Sequence, residues 1–446
     1  MTRRHCAVEP TCRCEEAWSV PPAAGSGAGG RGLDAGRLRA VLAGSGGGQD
    51  SESAAGDSGL REVRTTRTLA PGVDLTGIVR GTHKAKRSEI DTTSQGPWRV
   101  QVLSIDPATV HGHLATTYGD DVADTDRTTE LTHMTDAVVG ANASFFLAKS
   151  DYPGDPVGLA VHAGDVVSEP TAVSSPEADV LIDSATNRLS YGHLSWRGSL
   201  RNRTTHATLG LRHLNHPPAV PAACAELEDP TACPRTGDVS SFTRAFASHT
   251  PEGPGAEVIL DSSGCVVHRA TTRGRALGDT QRSVQATGRQ ARTLLSMSRR
   301  GCLRTSVSLH RGTERVKVTP SLFAVNGRYQ LVRDGRAQVP TGHGGIFDRN
   351  PRTFIGSTRH GVIMIVTVDG RRTTSVGTTI SETAAVARSL GLVDAVNLDG
   401  GGSTTMAVGS KLVNRPSGDK ERSVGDALVY TEQAEDRVRT ATPRRP

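Results

Sequence analysis

The chain has 446 residues, enough for one large or two ordinary domains around a sizeable buried core. Aromatic residues make up only 3%, while 50 glycines and 23 prolines favour many turns and short strands over long helices. The net charge of +6 rests on scattered arginines, with no basic stripe interleaved with aromatics, which argues against nucleic acid as a partner; no window approaches about 18 apolar residues, which argues against a membrane span.

Residues 1–63 read as a disordered arm or mis-assigned leader, rich in Gly, Ala, Ser and Arg up to about Ser58. The pair Cys12 and Cys14 reads there as incidental. Leu33–Gly44 is broken by Asp34, Arg37 and Arg39, so no secretory signal core is visible. The folded part begins near Arg64, where Thr68–Val79 reads as two strands around a Pro71-Gly72 turn. Trp98–Ile105 alternates, with Trp98, Val100 and Val102 on one face.

Ala141–Phe146 (ANASFF) reads as a small-residue strand that brings Asn142 and Ser144 to one face, an amide and a hydroxyl suited to holding a sugar hydroxyl or a phosphate oxygen. The same residues form an Asn-x-Ser sequon. A hairpin is expected through Ala163-Gly164 and a strand pair over Val180–Ser190. Residues 204–249 carry the least pattern and read as an insertion. Its His206, His213 and His216 fall at no spacing that fixes a tetrahedral metal site, so they read as ordinary loop histidines.

Four body cysteines form an even set without zinc-ligand spacing. The favoured reading is two disulfides, Cys224–Cys233 and Cys265–Cys302, in an oxidising compartment, against four buried thiols in a cytoplasmic protein. Arg273–Arg300 is rich in Arg and Gln without a regular apolar stripe, so its arginines read as solvated surface. Turns are expected at Asp334-Gly335 and Asp369-Gly370, which already explain those two aspartates.

Between those turns, His343 follows Gly342, and Arg349 and Arg352 flank Pro351. Two guanidinium forks beside a fixed turn suit the nonbridging oxygens of a phosphate, with Thr353 next to them; His343 titrates in the range of an acid or base. Ser381 is the expected cap of a helix with Ala384, Ala387 and Leu390 on its packed side, ending at Gly391. The helix delivers the chain to Ala395–Met406 (AVNLDGGGSTTM), a short strand that ends in Asp399 and three glycines. Gly400, Gly401 and Gly402 permit sharp turns and close approach of a ligand. Their N–H groups, with the hydroxyls of Ser403 and Thr404, can form a concave anion site. The plain alternative is a glycine turn with an ordinary aspartate. No Lys follows the glycines, so a phosphate-loop nucleoside triphosphatase is rejected.

The string Asn397–Met406 resembles the signature of the phosphodiester glycosidase family. Ala141–Phe146, Gly154–Val161, Gly255–Asp261, Arg349–Gly356 and Val366–Arg371 resemble that family upstream of it, as do Val413–Pro416 and Glu421–Ala427 downstream. Their order over Thr68 to Thr431 is the strength of the signal. The resemblance implies hydrolysis of a sugar-1-phosphodiester.

Glycosyl transfer to water usually needs two carboxyl groups. Asp399 has the strongest local case, and Asp155, Asp261, Asp348 and Glu421 stay open as the second. The expectation is an α+β fold of mixed, strand-rich sheets with a few packed helices: one large domain over 64–431, an insertion at 204–249 and a disordered tail over 432–446. Its function is expected to be that of a secreted or cell-surface hydrolase of a sugar phosphodiester or phosphoglycan, with Asp399, Arg352 and His343 catalytic. The alternative is a non-catalytic glycan-binding or exopolysaccharide assembly protein. No cofactor is required by the sequence, and a divalent cation beside Asp399 is left open, as is the oligomeric state.

Overall fold

The computed structural model describes residues 54–418 and 420–432. Of the arm expected over 1–63, residues 1–53, including Cys12 and Cys14, lie outside that range, as do residues 433–446; residues 54–63 form no disordered arm, since Ala55 is buried in a core and Glu62 and Val63 begin the first strand. The described part is strand-rich, with three α-helices: α1 (Thr128–Met134), α2 (Gly288–Met297) and α3 (Ile380–Ser389).

An eight-stranded antiparallel sheet forms the backbone of the fold. Its order is Glu62–Ala70, Val73–Arg80, Trp98–Ile105, Ile363–Val368, Arg352–Thr358, Leu392–Asn397, Gln330–Arg333, Arg336–Ala337. Alternation along these strands sends side chains to opposite faces. Val100, Val102, Phe354, Val366 and Val368 pack with Ile380, Ala384 and Ala387 of α3 on one face. Leu103, Ile105, Ile355, Ile365 and Val396 face the other way, into a second core shared with two further sheets.

One of these, of five strands, runs Lys411–Leu412, Met406–Val408, Val139–Asn142, Ala427–Thr431, His113–Thr117. The other places Glu177–Asp183 beside Leu322–Arg328, followed by Ala160–His162 and Asp165–Ser168. The Ala160–Ser168 hairpin turns through Ala163 and Gly164, both at positive φ, as the sequence suggested. The Asp334-Gly335 turn likewise joins two paired strands.

Other expectations are corrected. Helix α3 is capped by Thr379, not Ser381: the Thr379 hydroxyl accepts from Glu382 N–H at 3.1 Å, and Glu382 closes the capping box. Asp369 is no turn residue. It is buried, and its carboxylate accepts from Asn414 Nδ2 and Arg415 N–H, both at 3.1 Å. Of the arginines in Arg273–Arg300, Arg275, Arg289, Arg292, Arg299 and Arg300 are exposed as expected, but Arg273 is buried and Arg282 half-buried, and the stretch holds more than surface. It supplies the buried strand Arg282–Thr287 and α2, whose Gly288, Ala291, Leu294 and Met297 recur every three residues and pack inward. Within 204–249, Thr236–Thr243 pairs with Arg282–Thr287, which in turn pairs with Gly253–Leu260, and Phe242 and Phe246 are fully buried. That segment is therefore woven into a sheet.

Both expected disulfides, Cys224–Cys233 and Cys265–Cys302, are formed. Among the described residues no helix is long and apolar enough to cross a membrane.

Candidate active site

Three strand ends meet at the site. Leu392–Asn397 runs out towards Asp399, Val139–Asn142 runs out towards Ser144, and Ala427–Thr431 begins directly after Asp426. Ala427 pairs with Asn142, which brings Asp426 and Ser144 to one end of that sheet. Ser144 then grips Asp426 twice, its N–H donating to Oδ1 at 2.7 Å and its hydroxyl to Oδ2 at 2.6 Å.

Asn142 fastens the Asp399 loop. Its Nδ2 donates to the Asp399 carbonyl at 2.7 Å, and its Oδ1 accepts from the Thr353 hydroxyl at 2.7 Å and the Thr405 N–H at 3.0 Å. Asn142 is 0% exposed, so the sequon it belongs to is out of reach in the folded chain. The Asp399 N–H donates to the Ala143 carbonyl at 2.9 Å, which closes the frame.

Burial pushes Asp399 up to about 6, opposed by the Ser403 hydroxyl, Arg422, the Gly400 N–H and Arg328. Burial also pushes Asp426 up to about 6; the two bonds from Ser144 oppose it, and the negative charge of Asp399 adds to it. Neighbouring carboxyls of this kind titrate as a pair. They differ in access. Asp426 is 6% exposed, whereas Asp399 is crowded by protein atoms yet keeps one side open to solvent.

The arginines whose positive charge favours the ionised form of Asp399 are Arg422 and Arg328. Arg328 lies 4.8 Å from the Phe145 ring centre and pairs with Glu177 through Nε at 2.8 Å. Arg422 lies 5.2 Å from the Phe146 ring centre, and among the described residues its guanidinium has no carboxylate partner. The two phenylalanines of ANASFF thus each carry one guanidinium over a ring face. Arg371 leans on the loop from another side, since a Cβ at Gly401 would meet its Nη2 at 3.3 Å.

The glycine run is needed for the protein's own packing. A Cβ on Gly400 would stand 2.8 Å from the Pro351 carbonyl oxygen, and Gly401 has a φ of +60°. The expected anion cradle is largely used up: Gly400 N–H donates to Asp399 Oδ1, Gly401 N–H to the Pro351 carbonyl, and Ser403 and Thr404 N–H to the carbonyls of Gly400 and Gly401. A Cβ on Gly402 would meet Arg422 at 3.4 Å. The Thr404 and Thr405 hydroxyls are buried without a hydrogen-bond partner among the described residues.

The other expected residues are dispersed. Arg352 points to the α3 face with Phe354, where Nε donates to the Thr378 carbonyl at 3.0 Å and Nη2 to the carbonyls of Ile346 and Asp348 at 2.7 and 2.6 Å. Arg349 pairs with Glu382 and donates to the Thr93 carbonyl at 2.5 Å. Both guanidinium groups therefore brace loops instead of facing Asp399. His343 stands exposed on the 341–345 loop.

Nor is a second acid found among the four considered. Asp155 binds His216, Asp261 accepts N–H groups in a turn, and Asp348 accepts the Gly344 N–H. Glu421 holds both the N–H and the hydroxyl of Thr129 at the start of α1. Asp426, in the Glu421–Ala427 block, is the acid that sequence reasoning missed. A Gly-Asp pair before a strand looks like a turn, and only the register of Ala427 against Asn142 reveals it. Among the described residues no group of three or more His, Cys, Asp or Glu side chains is placed to hold a metal ion.

Residues 254–431 match the family described as phosphodiester glycosidase. A curated relative, the SPbeta prophage-derived uncharacterized protein YomE of Bacillus subtilis (strain 168), is 40% identical over 83 residues, or 19% of this chain. The match spans only 13% of that relative's length. Among solved structures, a Burkholderia pseudomallei K96243 protein named as an exported protein superposes with a TM-score of 0.71 at 24% identity, over 85% of this chain and 98% of its own. A hypothetical protein from Synechocystis gives a TM-score of 0.60 at 19% identity, over 83% of this chain and 68% of its own. These two likenesses establish a shared fold.

Proposed function

From its resemblance to the phosphodiester glycosidase family over residues 254–431, we propose that the protein is an exported hydrolase. Its substrate in this reading is a sugar-1-phosphodiester of a cell-surface or extracellular glycan, cut at the glycosidic bond to phosphate. The observation that carries the reading is the buried pair Asp399 and Asp426, with the positive charges of Arg328 and Arg422 favouring ionisation of Asp399.

Cleavage on the sugar side breaks the bond between the anomeric carbon and the phosphate oxygen. Water gives its hydroxyl to the sugar, and the bridging oxygen leaves on the phosphomonoester. Asp399, the more accessible acid, takes the proton from water or attacks the anomeric carbon itself; either role requires its ionised form. Asp426 shares the proton of the pair and is held in place by Ser144. The departing phosphate is weakly basic, so charge stabilisation counts for more than protonation, and Arg422 and Arg328 are suited to supply it. Asn142, Thr353 and the Gly400–Thr404 loop position Asp399. Two disulfides support an oxidising, extracytoplasmic setting.

The test measures which side of the bond is cut. With an aryl or alkyl phosphodiester of N-acetylglucosamine, the expected products are free sugar and an intact phosphomonoester, and Asp399→Asn abolishes turnover while binding persists. Retained binding with no turnover of any sugar phosphodiester by the wild-type protein would assign it to non-catalytic glycan binding instead.

A further inference from the structure

A cavity of about 720 Å³ lies at the end of the Ser195–Asn202 and Thr208–Leu211 strands, and Asp399 is not among its walls. Leu147, Pro156 and Val157 form one side. Leu147 follows Ser144 by three residues, so along the chain it lies within about 10 Å of the serine that holds Asp426. The Leu147 N–H donates to the Asp155 carbonyl and the Val157 N–H to the Phe145 carbonyl, both at 2.9 Å. This wall and the segment under Arg328 and Arg422 are thus one hydrogen-bonded piece.

The cavity's chemistry is specific. The half-buried Trp196 lies over Gly198, where a Cβ would meet its ring at 2.3 Å, and so packs on the sheet face opposite that of Arg197 and Arg212. The acidic groups nearby are engaged by histidines, although Asp155 Oδ1 is buried without a hydrogen-bond partner among the described residues. Glu169 accepts from Leu214 N–H and bonds His213 Nδ1, each at 2.7 Å, and Asp155 bonds His216 Nδ1 at 2.5 Å. The arginines are not satisfied. Arg197 and Arg212 both line the cavity, both are exposed, and among the described residues neither guanidinium has a hydrogen-bond or ion-pair partner. Gly198 pairs with Leu211, so Arg197 and Arg212 stand opposite each other one step beyond the ladder. Like charges in that relation oppose each other unless an anion lies between them.

We propose that this cavity is a second saccharide subsite, which takes an acidic sugar residue. The carboxylate or phosphate of that residue sits between Arg197 and Arg212. The assignment rests on the reading of the protein as a glycan phosphodiester hydrolase, because it seats a neighbouring unit of the same glycan close to the bond that is cut.

The probes are glucuronic acid, glucose 6-phosphate and glucose, titrated into the full-length Asp399→Asn protein by calorimetry. The acidic sugars are expected to bind about tenfold tighter than glucose, and Arg197→Gln with Arg212→Gln to erase that preference. In the background with Asp399 intact, these variants cleave a small aryl sugar phosphodiester at the wild-type rate. Comparing the two acidic probes tells whether carboxylate or phosphate is the preferred anion. Equal affinity for glucose and both anions, or a preference that survives both arginine substitutions, overturns the subsite. If instead the anion preference holds while the wild-type protein cleaves no sugar phosphodiester, it is the hydrolase reading that fails.

Discussion

Ser144 holds both oxygens of Asp426, its N–H on Oδ1 at 2.7 Å and its hydroxyl on Oδ2 at 2.6 Å, so one residue fixes the orientation of the acid beside Asp399. Ser144→Ala leaves Oδ2 unpartnered in a buried place and raises the Asp426 carboxyl further. Turnover is expected to fall about 10- to 100-fold with substrate affinity little changed, measured as kcat against KM.

Activity should follow ionisation of the pair. Asp399 and Asp426 are each raised to about 6, so kcat/KM is expected to level off above neutral pH and drop roughly tenfold by about pH 5. A profile still flat at pH 4 contradicts a catalytic carboxylate with this burial.

The same shifts predict a trade between activity and stability. Both folded values, about 6, stand above the ordinary 3.8, so the folded chain holds extra protons between about pH 4 and 6. The stability tied to these carboxyls is complete below that window and lost as pH rises through it. Asp426→Asn cannot ionise, and is expected to be more stable than wild type by about 1–2 kcal/mol at pH 8, with the gap closing below pH 4. Denaturant melts at the two pH values check the sign.

Gly400→Ala places a Cβ 2.8 Å from the Pro351 carbonyl oxygen, and neither backbone segment can yield without moving Asp399. The expected result is a loss of activity of more than about tenfold in a protein that still melts cooperatively. Wild-type kinetics in this variant would remove the argument that the glycine run is set by packing.

Arg422→Gln and Arg352→Gln should separate two kinds of arginine. Arg422 favours ionisation of Asp399 by its positive charge, so its loss is expected to lower kcat/KM by about 10²-fold or more with stability preserved. Arg352 is 3% exposed and serves three backbone carbonyls, so its loss is expected to cost about 2–4 kcal/mol of folding stability. Thermal melts and steady-state kinetics on both variants decide between these roles.

Much of the scaffold was legible because its strands alternate cleanly: Trp98–Ile105 was delimited correctly, and its buried face follows from period two. The strand Arg282–Thr287 was not, because Ser283, Gln285 and Thr287 occupy buried positions that an apolar pattern cannot flag. In α2 the packed stripe is one residue wide and hidden among arginines. The site was half legible. Asp399 and Ser144 announce themselves by their strings, but the direction of Arg352 depends on knowing where its strand starts, since a shift of one residue exchanges its face with that of Thr353. Arg328 and Arg422 carry no local mark and are recognisable only by what they approach in space.

The bonds that assemble the candidate site join remote parts of the polypeptide: Ser144 and Asp426 are 282 positions apart, Asn142 and Asp399 are 257 apart. Such contacts have high contact order and form late, after long intervening loops have closed. Catalysis can therefore serve as a readout of completed folding. A fragment cut down to residues 254–431 lacks Asn142 and Ser144, and so cannot orient its own aspartates.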